Sequence, residues 1–212
     1  SPRVARFMRN QKPRPVDPGE GVTVDEVTVS PTVSLRFFRP TDATGPVPVL
    51  LWMHGGGHLF GSPEQDDQSN IAFVRELGIA VAAVRYRLGA DAPAPASVDD
   101  VYAALTFVKE RADECGVDPS RRAVGGASAG GGVAAGLALA ALDRGEITIA
   151  FQLLVYPMLD DRTVLRTDLD DLPVRIWSQK SNRLGWRTYL GVEPGASGVP
   201  PYAAAARRDD PN

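Results

Sequence analysis

The chain is expected to fold as an α/β domain: a doubly wound, mostly parallel sheet carrying a helical cap. Three observations predict it. The runs Val47–Met53, Ile79–Val84 and Ile149–Tyr156 are almost continuously apolar, as strands covered on both faces are. The stretches between them repeat their apolar residues at helical spacing, the mark of helices that pack on a sheet. Strand, helix, strand, helix, strand in that order imposes parallel strands joined by right-handed crossovers.

Taken in order, residues 1–22 are basic and Pro-rich and read as an arm. Val22–Val29 and Val33–Arg39 read as strands flanking Ser30-Pro31-Thr32, and they need not be parallel. In the second, Val33, Leu35 and Phe37 alternate with Ser34, Arg36 and Phe38, which predicts a half-buried strand. Thr41–Gly45 is turn chemistry before the buried strand Val47–Met53. Glu64–Leu77 places Ile71, Phe73, Val74 and Leu77 at helical spacing and meets Gly78. Val98–Cys115 is expected as one helix with Val101, Leu105 and Val108 inward, stopped by Gly116. Arg122–Gly126 reads as a short strand and Ala129–Arg144 as a Gly- and Ala-rich helix. Beyond Pro157 the composition changes: Asp160, Asp161, Asp168, Asp170 and Asp171 alternate with Arg and aromatics. One or two short helices outside the sheet are expected there, anchored by Trp177, Trp186 and Tyr189. The division that follows is an arm (1–22), a core (23–159), cap helices (160–190) and a return segment (191–212).

A chain of 212 residues is long enough for one domain with a real core. Its net charge of −3 carries no basic block, which argues against a nucleic-acid surface. No apolar stretch reaches the roughly 20 residues of a membrane span. Nothing at Ser1-Pro2-Arg3 resembles a secretory leader, so a cytoplasmic protein is expected. Cys115 is the lone cysteine; no intrachain disulfide is available, and packing is its expected role.

The chemistry lies at two glycine-rich strand ends. Gly126-Ala127-Ser128-Ala129-Gly130 stands between a strand and a helix. Such a turn pushes a serine out on a strained backbone, and glycines two residues either side avoid a clash between strand and helix. The helix start aims free N–H groups at the site, and the N–H of Ala129 is the natural first donor to an oxyanion. The glycines of 126–132 also fit a dinucleotide-binding turn. That chemistry needs a Tyr followed four residues on by Lys, and no Tyr here has one; the turn also comes late in the chain. Met53-His54-Gly55-Gly56-Gly57-His58 follows the most buried strand. Its glycines let backbone N–H groups approach a developing negative charge, where losing one donor costs about 3–4 kcal/mol. His54 and His58 lack the Cys or acidic partners of a metal site, so neither metal nor cofactor is expected.

With these motifs in place the chain resembles the hormone-sensitive-lipase-like branch of the α/β-hydrolases, bacterial carboxylesterases acting mainly on short acyl esters. The resemblance rests on His54–Gly57, Gly126–Gly131, Tyr86-Arg87-Leu88 with Pro93–Ala96, Tyr156-Pro157-Met158, and Leu184-Gly185-Trp186 with Tyr189-Leu190. It implies an α/β-hydrolase fold with Ser128 as nucleophile and an oxyanion hole from Gly56, Gly57 and Ala129. It also implies that His54 and Gly55 support that loop, that Gly126 and Gly130 form the elbow, and that residues 1–22 and 160–190 cap the acyl pocket. The expected partner is a small acyl ester. His58 stands where the family has a bulky aromatic or apolar residue, and with Trp177 and Trp186 it is expected to line the pocket. Gly89-Ala90-Asp91 replaces the usual Ala-Pro-Glu. Both histidines belong to the loop and none follows Ser128, so the triad acid and base, with the last two strands, are expected to lie outside these residues. Asp160 or Asp161 as acid would have no histidine to orient, and a structural role is expected. The open edge after the sixth strand would invite a second chain, which admits a homo-oligomer. The alternative is a non-catalytic, receptor-like binding module of the same fold.

Overall fold

A computed structural model describes residues 14–169 and 176–209. Six strands form one sheet in the order β1-β2-β4-β3-β5-β6. They are β1 (Val22–Ser30), β2 (Val33–Pro40), β3 (Val47–Met53), β4 (Ala80–Arg85), β5 (Val117–Ala127) and β6 (Phe151–Val155). β1 and β2 are antiparallel, β2 meets β4 antiparallel, and β4, β3, β5 and β6 run parallel. The helices are α1 (Asp67–Leu77), α2 (Ala96–Glu110), α3 (Ala129–Arg144) and α4 (Gln179–Leu190).

The sheet is covered on both sides, which is why β3 is apolar throughout. Leu50 and Trp52 pack with Phe38, Val81, Ile71 and Val74 on the α1 side. Val49, Leu51 and Met53 pack with Val101, Leu105, Val133 and Leu137 of α2 and α3 on the other. Cys115 closes the second core, a packing role as expected.

Several expectations change. β2 is not half-buried: Arg36 is 8% and Phe38 0% exposed. The face that looked polar is closed by α1, where Asp67 takes two hydrogen bonds from the Arg36 guanidinium at 2.7 and 2.9 Å. Paired in this way, the buried arginine leaves no uncompensated charge on the core face. The first turn of the Glu64–Leu77 helix is a 3-10 turn, Pro63–Asp66, with α-helix from Asp67. The helix expected over Val98–Cys115 starts at Ala96 and breaks at Arg111 (φ −110°, ψ 31°), leaving Ala112–Cys115 as a separate turn that Gly116 ends. β4 lies one residue later than expected. β5 begins at Val117, five residues early, because Val117 pairs with Val47 despite the polar stretch Asp118–Arg121. β6 is shorter than Ile149–Tyr156 and is an edge strand with Phe151 61% exposed.

Outside the sheet, 3-10 turns Asp161–Leu165 and Thr167–Leu169 precede α4. The Ser178 side chain caps α4 and Gly191, in the left-handed conformation, ends it. Trp186 and Tyr189 are 1% exposed and pack with Val164, Leu190, Val199 and Ala203. They anchor this layer as expected. The described part of the arm lies along α1, with the Val16 N–H donating to Asp67 and Arg75 donating to the Pro18 and Glu20 carbonyls. Residues 1–13, 170–175 and 210–212, which carry the rest of the arm and part of the cap segment, fall outside the described residues.

Candidate active site

Register brings the two glycine-rich segments together. β3 and β5 are neighbours, with Met53 opposite Gly126. The loop after β3 and the turn after β5 therefore leave the sheet side by side at its carboxyl edge, where open α/β sheets hold their ligands.

Ser128 joins β5 to α3 at φ +56°, ψ −118°, a conformation a non-glycine residue holds only when its surroundings impose it. Its N–H donates to the Val155 carbonyl at 2.9 Å. Its own carbonyl accepts from Gly132 at 3.1 Å and Met158 at 3.0 Å. A Cβ at Gly126 would stand 2.6 Å from the Met53 carbonyl oxygen, and one at Gly130 would overlap the Met53 and His54 carbonyls. The missing side chains are what let strand, helix and loop close on the serine. Ala129 follows at the helix start, fully buried.

The loop presses on this turn. A Cβ at Gly55 would be 3.0 Å from the Ala127 carbonyl oxygen and 3.5 Å from the Ser128 Cβ. His54 is buried and its Nδ1 donates to the Gly55 carbonyl at 2.8 Å. Burial first, and Arg85 less strongly, push the imidazole down to about 4, against the pull of the Gly55 carbonyl and Glu64. The ring is thus neutral at pH 7. Tyr86 stacks on it, centroids 4.6 Å apart, and donates its hydroxyl to the His54 carbonyl at 2.6 Å.

Gly57 and His58 both have positive φ, +59° and +62°. The Trp177 ring fills the space beside Gly57, and a Cβ at Gly185 of α4 would stand 2.7 Å from the Gly57 carbonyl oxygen. His58 lies face to face with Tyr189 at 3.8 Å, with Trp186 tilted at 5.7 Å. Its Nε2 is buried with no hydrogen-bond partner, and burial pushes the ring down to about 3.

The structure thus brings together Ser128, the 54–57 loop, Ala129, His58, Trp177 and Trp186. His58 is buried against α4, whose own Trp186 is buried facing it, whereas Trp177 is half-buried against the loop. Among the described residues neither imidazole is hydrogen-bonded to Ser128. No group of three His, Cys, Asp or Glu side chains among them is arranged to hold a metal. No helix among them is long and apolar enough to cross a membrane. Asp161, fully buried, accepts from Arg207 at 2.6 and 2.8 Å and from the Gly195 N–H at 2.6 Å. Asp160 caps its own turn through Arg162. Sequence reasoning gave no role to Tyr86 or Gly89. The Gly89 N–H donates to the His58 carbonyl at 3.1 Å, and its bare Cα admits the Tyr189 backbone. Their presence in the 86–89 stretch was the available signal.

Residues 50–210 match the family described by the alpha/beta hydrolase fold. The chain is 36% identical over 177 residues to carboxylesterase NlhH of Mycobacterium tuberculosis, which covers 81% of this chain and 56% of that protein. An AB hydrolase superfamily protein of Schizosaccharomyces pombe is 36% identical over 159 residues, 72% of this chain and 47% of that one. A solved bacterial heroin esterase superposes with a TM-score of 0.84 at 41% identity, over 98% of this chain and 67% of its own. The chain spans about half the length of the curated relatives it matches. The order of strands, the serine turn and these similarities agree, and the chain belongs to the α/β-hydrolase family.

Proposed function

We propose that this chain carries the nucleophile and oxyanion hole of a serine carboxylesterase acting on short-chain acyl esters. The observation that carries the reading is the strained Ser128, at φ +56°, set so close to the loop that a Cβ at Gly55 would stand 3.5 Å from the Ser128 Cβ. Relatives named carboxylesterase and esterase support it. In the forward step the Ser128 Oγ attacks the ester carbonyl carbon and a general base takes its proton. The N–H groups of Gly56, Gly57 and Ala129 receive the charge that develops on the carbonyl oxygen. The alcohol leaves with the proton, and water then releases the acid from the acyl-enzyme. The base is not one of these residues' histidines. His54 is committed to the Gly55 carbonyl and His58 stacks on Tyr189, and the base in this reading is an imidazole other than these two.

The complete gene product carrying Ser128→Ala is expected to lose p-nitrophenyl acetate hydrolysis by about a million-fold in kcat. Hydrolysis at the original rate would sink the reading. A complete gene product that binds short esters without turning them over would instead support a receptor-like module, with which the commitment of both imidazoles elsewhere is compatible.

A further inference from the structure

We propose that Tyr86 is a positioning residue for the oxyanion loop, setting where its N–H groups stand relative to Ser128. The proposal rests on the reading of Ser128 as nucleophile. Tyr86 directly follows β4, which lies parallel to β3 with Val84 opposite Met53. That register carries Tyr86 up beside the first residues of the loop. There it makes two contacts with His54: the hydroxyl holds the carbonyl at 2.6 Å, and the ring stacks on the imidazole at 20°.

These contacts act on the hole through peptide geometry. In a trans peptide the carbonyl of one residue and the N–H of the next point in opposite directions. Holding the His54 carbonyl therefore fixes the Gly55 N–H, and the His54 ring, by holding the Gly55 carbonyl at 2.8 Å, fixes the Gly56 N–H. Tyr86 secures both, the first directly and the second by keeping the ring in place. The same His54 carbonyl occupies the space that a side chain at Gly130 would need. The group Tyr86 holds is thus the surface on which the loop and the serine turn meet. Both rings are buried, Tyr86 5% and His54 1% exposed, so water does not replace the hydroxyl readily.

The test uses the complete gene product and p-nitrophenyl acetate. Tyr86→Phe is expected to lower kcat about ten-fold while KM stays within about two-fold, because the lost placement is felt mainly in the transition state. The melting temperature is expected to stay within a few degrees. p-Aminophenylalanine at position 86 restores a donor and is expected to return kcat to within about three-fold. p-Methylphenylalanine fills the same space without a donor and is expected to remain as slow as Phe. That pair decides the matter even if Tyr86→Phe does not fold. An unchanged kcat in Tyr86→Phe, or a loss that the amino analogue fails to restore, overturns the proposal. Ser128→Ala runs alongside: if it stays active the nucleophile reading fails, whereas an inactive Ser128→Ala with a fully active Tyr86→Phe overturns the positioning role alone.

Discussion

His54 and His58 are the two histidines of the chain, and burial holds both rings well below their usual range, at about 4 and about 3. Once unfolded, each would titrate near 6.5. Between pH 6.5 and those lower values the unfolded chain holds more protons than the folded one, so stability rises with pH and is lost on acidification. Carboxylates with ordinary pKa values near 4 are still almost wholly ionised above about pH 5.5, so the slope of unfolding free energy between pH 6.5 and about 5.5 belongs mainly to the two imidazoles. His58→Phe is expected to halve that slope in urea titrations; an unaltered slope would show that His58 is not held neutral. The same substitution keeps a ring against Tyr189 and removes the unpartnered Nε2. A buried polar atom without a partner costs about 1–3 kcal/mol, so the urea midpoint at pH 7 is expected to rise. Sequence alone placed His58 beside the pocket by its position in the loop. It gave no means of seeing the stack, because Tyr189 lies on a helix that comes more than 120 residues later.

At the scale of an element, α3 shows what local pattern reveals and where it stops. Its bounds, Ala129–Arg144, are as the pattern predicts, since the serine turn opens it and Gly145 closes it. β5 was under-read because its first half is polar and is a strand only through pairing with β3. β6 was over-read because an apolar run does not reveal that one of its edges is open. Gly130 and Gly131 belong to the serine-turn motif, and the structure shows what the glycines along the helix admit. A Cβ at Gly131 would meet Pro157 at 2.9 Å, and one at Gly132 would overlap the Met158 carbonyl. At Gly136 it would overlap the Tyr202 carbonyl. The helix is bare first where the chain leaves β6 and then, at Gly136, where it returns from α4, and Tyr202 and Arg208 tie that return to Asp143 on the same helix. Helix propensity favours Ala over Gly by about 1 kcal/mol, whereas forcing a methyl into a closed contact costs about 1–3 kcal/mol. Gly136→Ala is therefore expected to lower the urea midpoint. A rise would mean that the return segment is not seated on α3.

Across the whole molecule, what the chain shows locally and what it assembles divide at the sheet. The serine turn and the glycine loop were legible because each is a contiguous pattern at the end of an apolar run. The contacts that place them, Met53 opposite Gly126 and Tyr86 on His54, join distant segments and are set by strand order. That order also leaves β6 paired with β5 alone among the described strands. Phe151 and Tyr156, 61% and 76% exposed, stand at its two ends. Beside it a groove of about 610 Å³ is lined by Ala135, Ala138, Leu142, Ile149 and Ala206. An unpaired strand edge next to apolar surface is a template for another chain. The 212-residue chain, produced by itself, is expected to associate with rising concentration in sedimentation velocity runs. Phe151→Lys puts a charge on that edge and is expected to shift the distribution toward monomer with the far-UV circular dichroism unchanged. Association that persists undiminished in Phe151→Lys would place the contact on another surface. A wild-type chain that stays monomeric at all concentrations would show that the edge is protected as it stands.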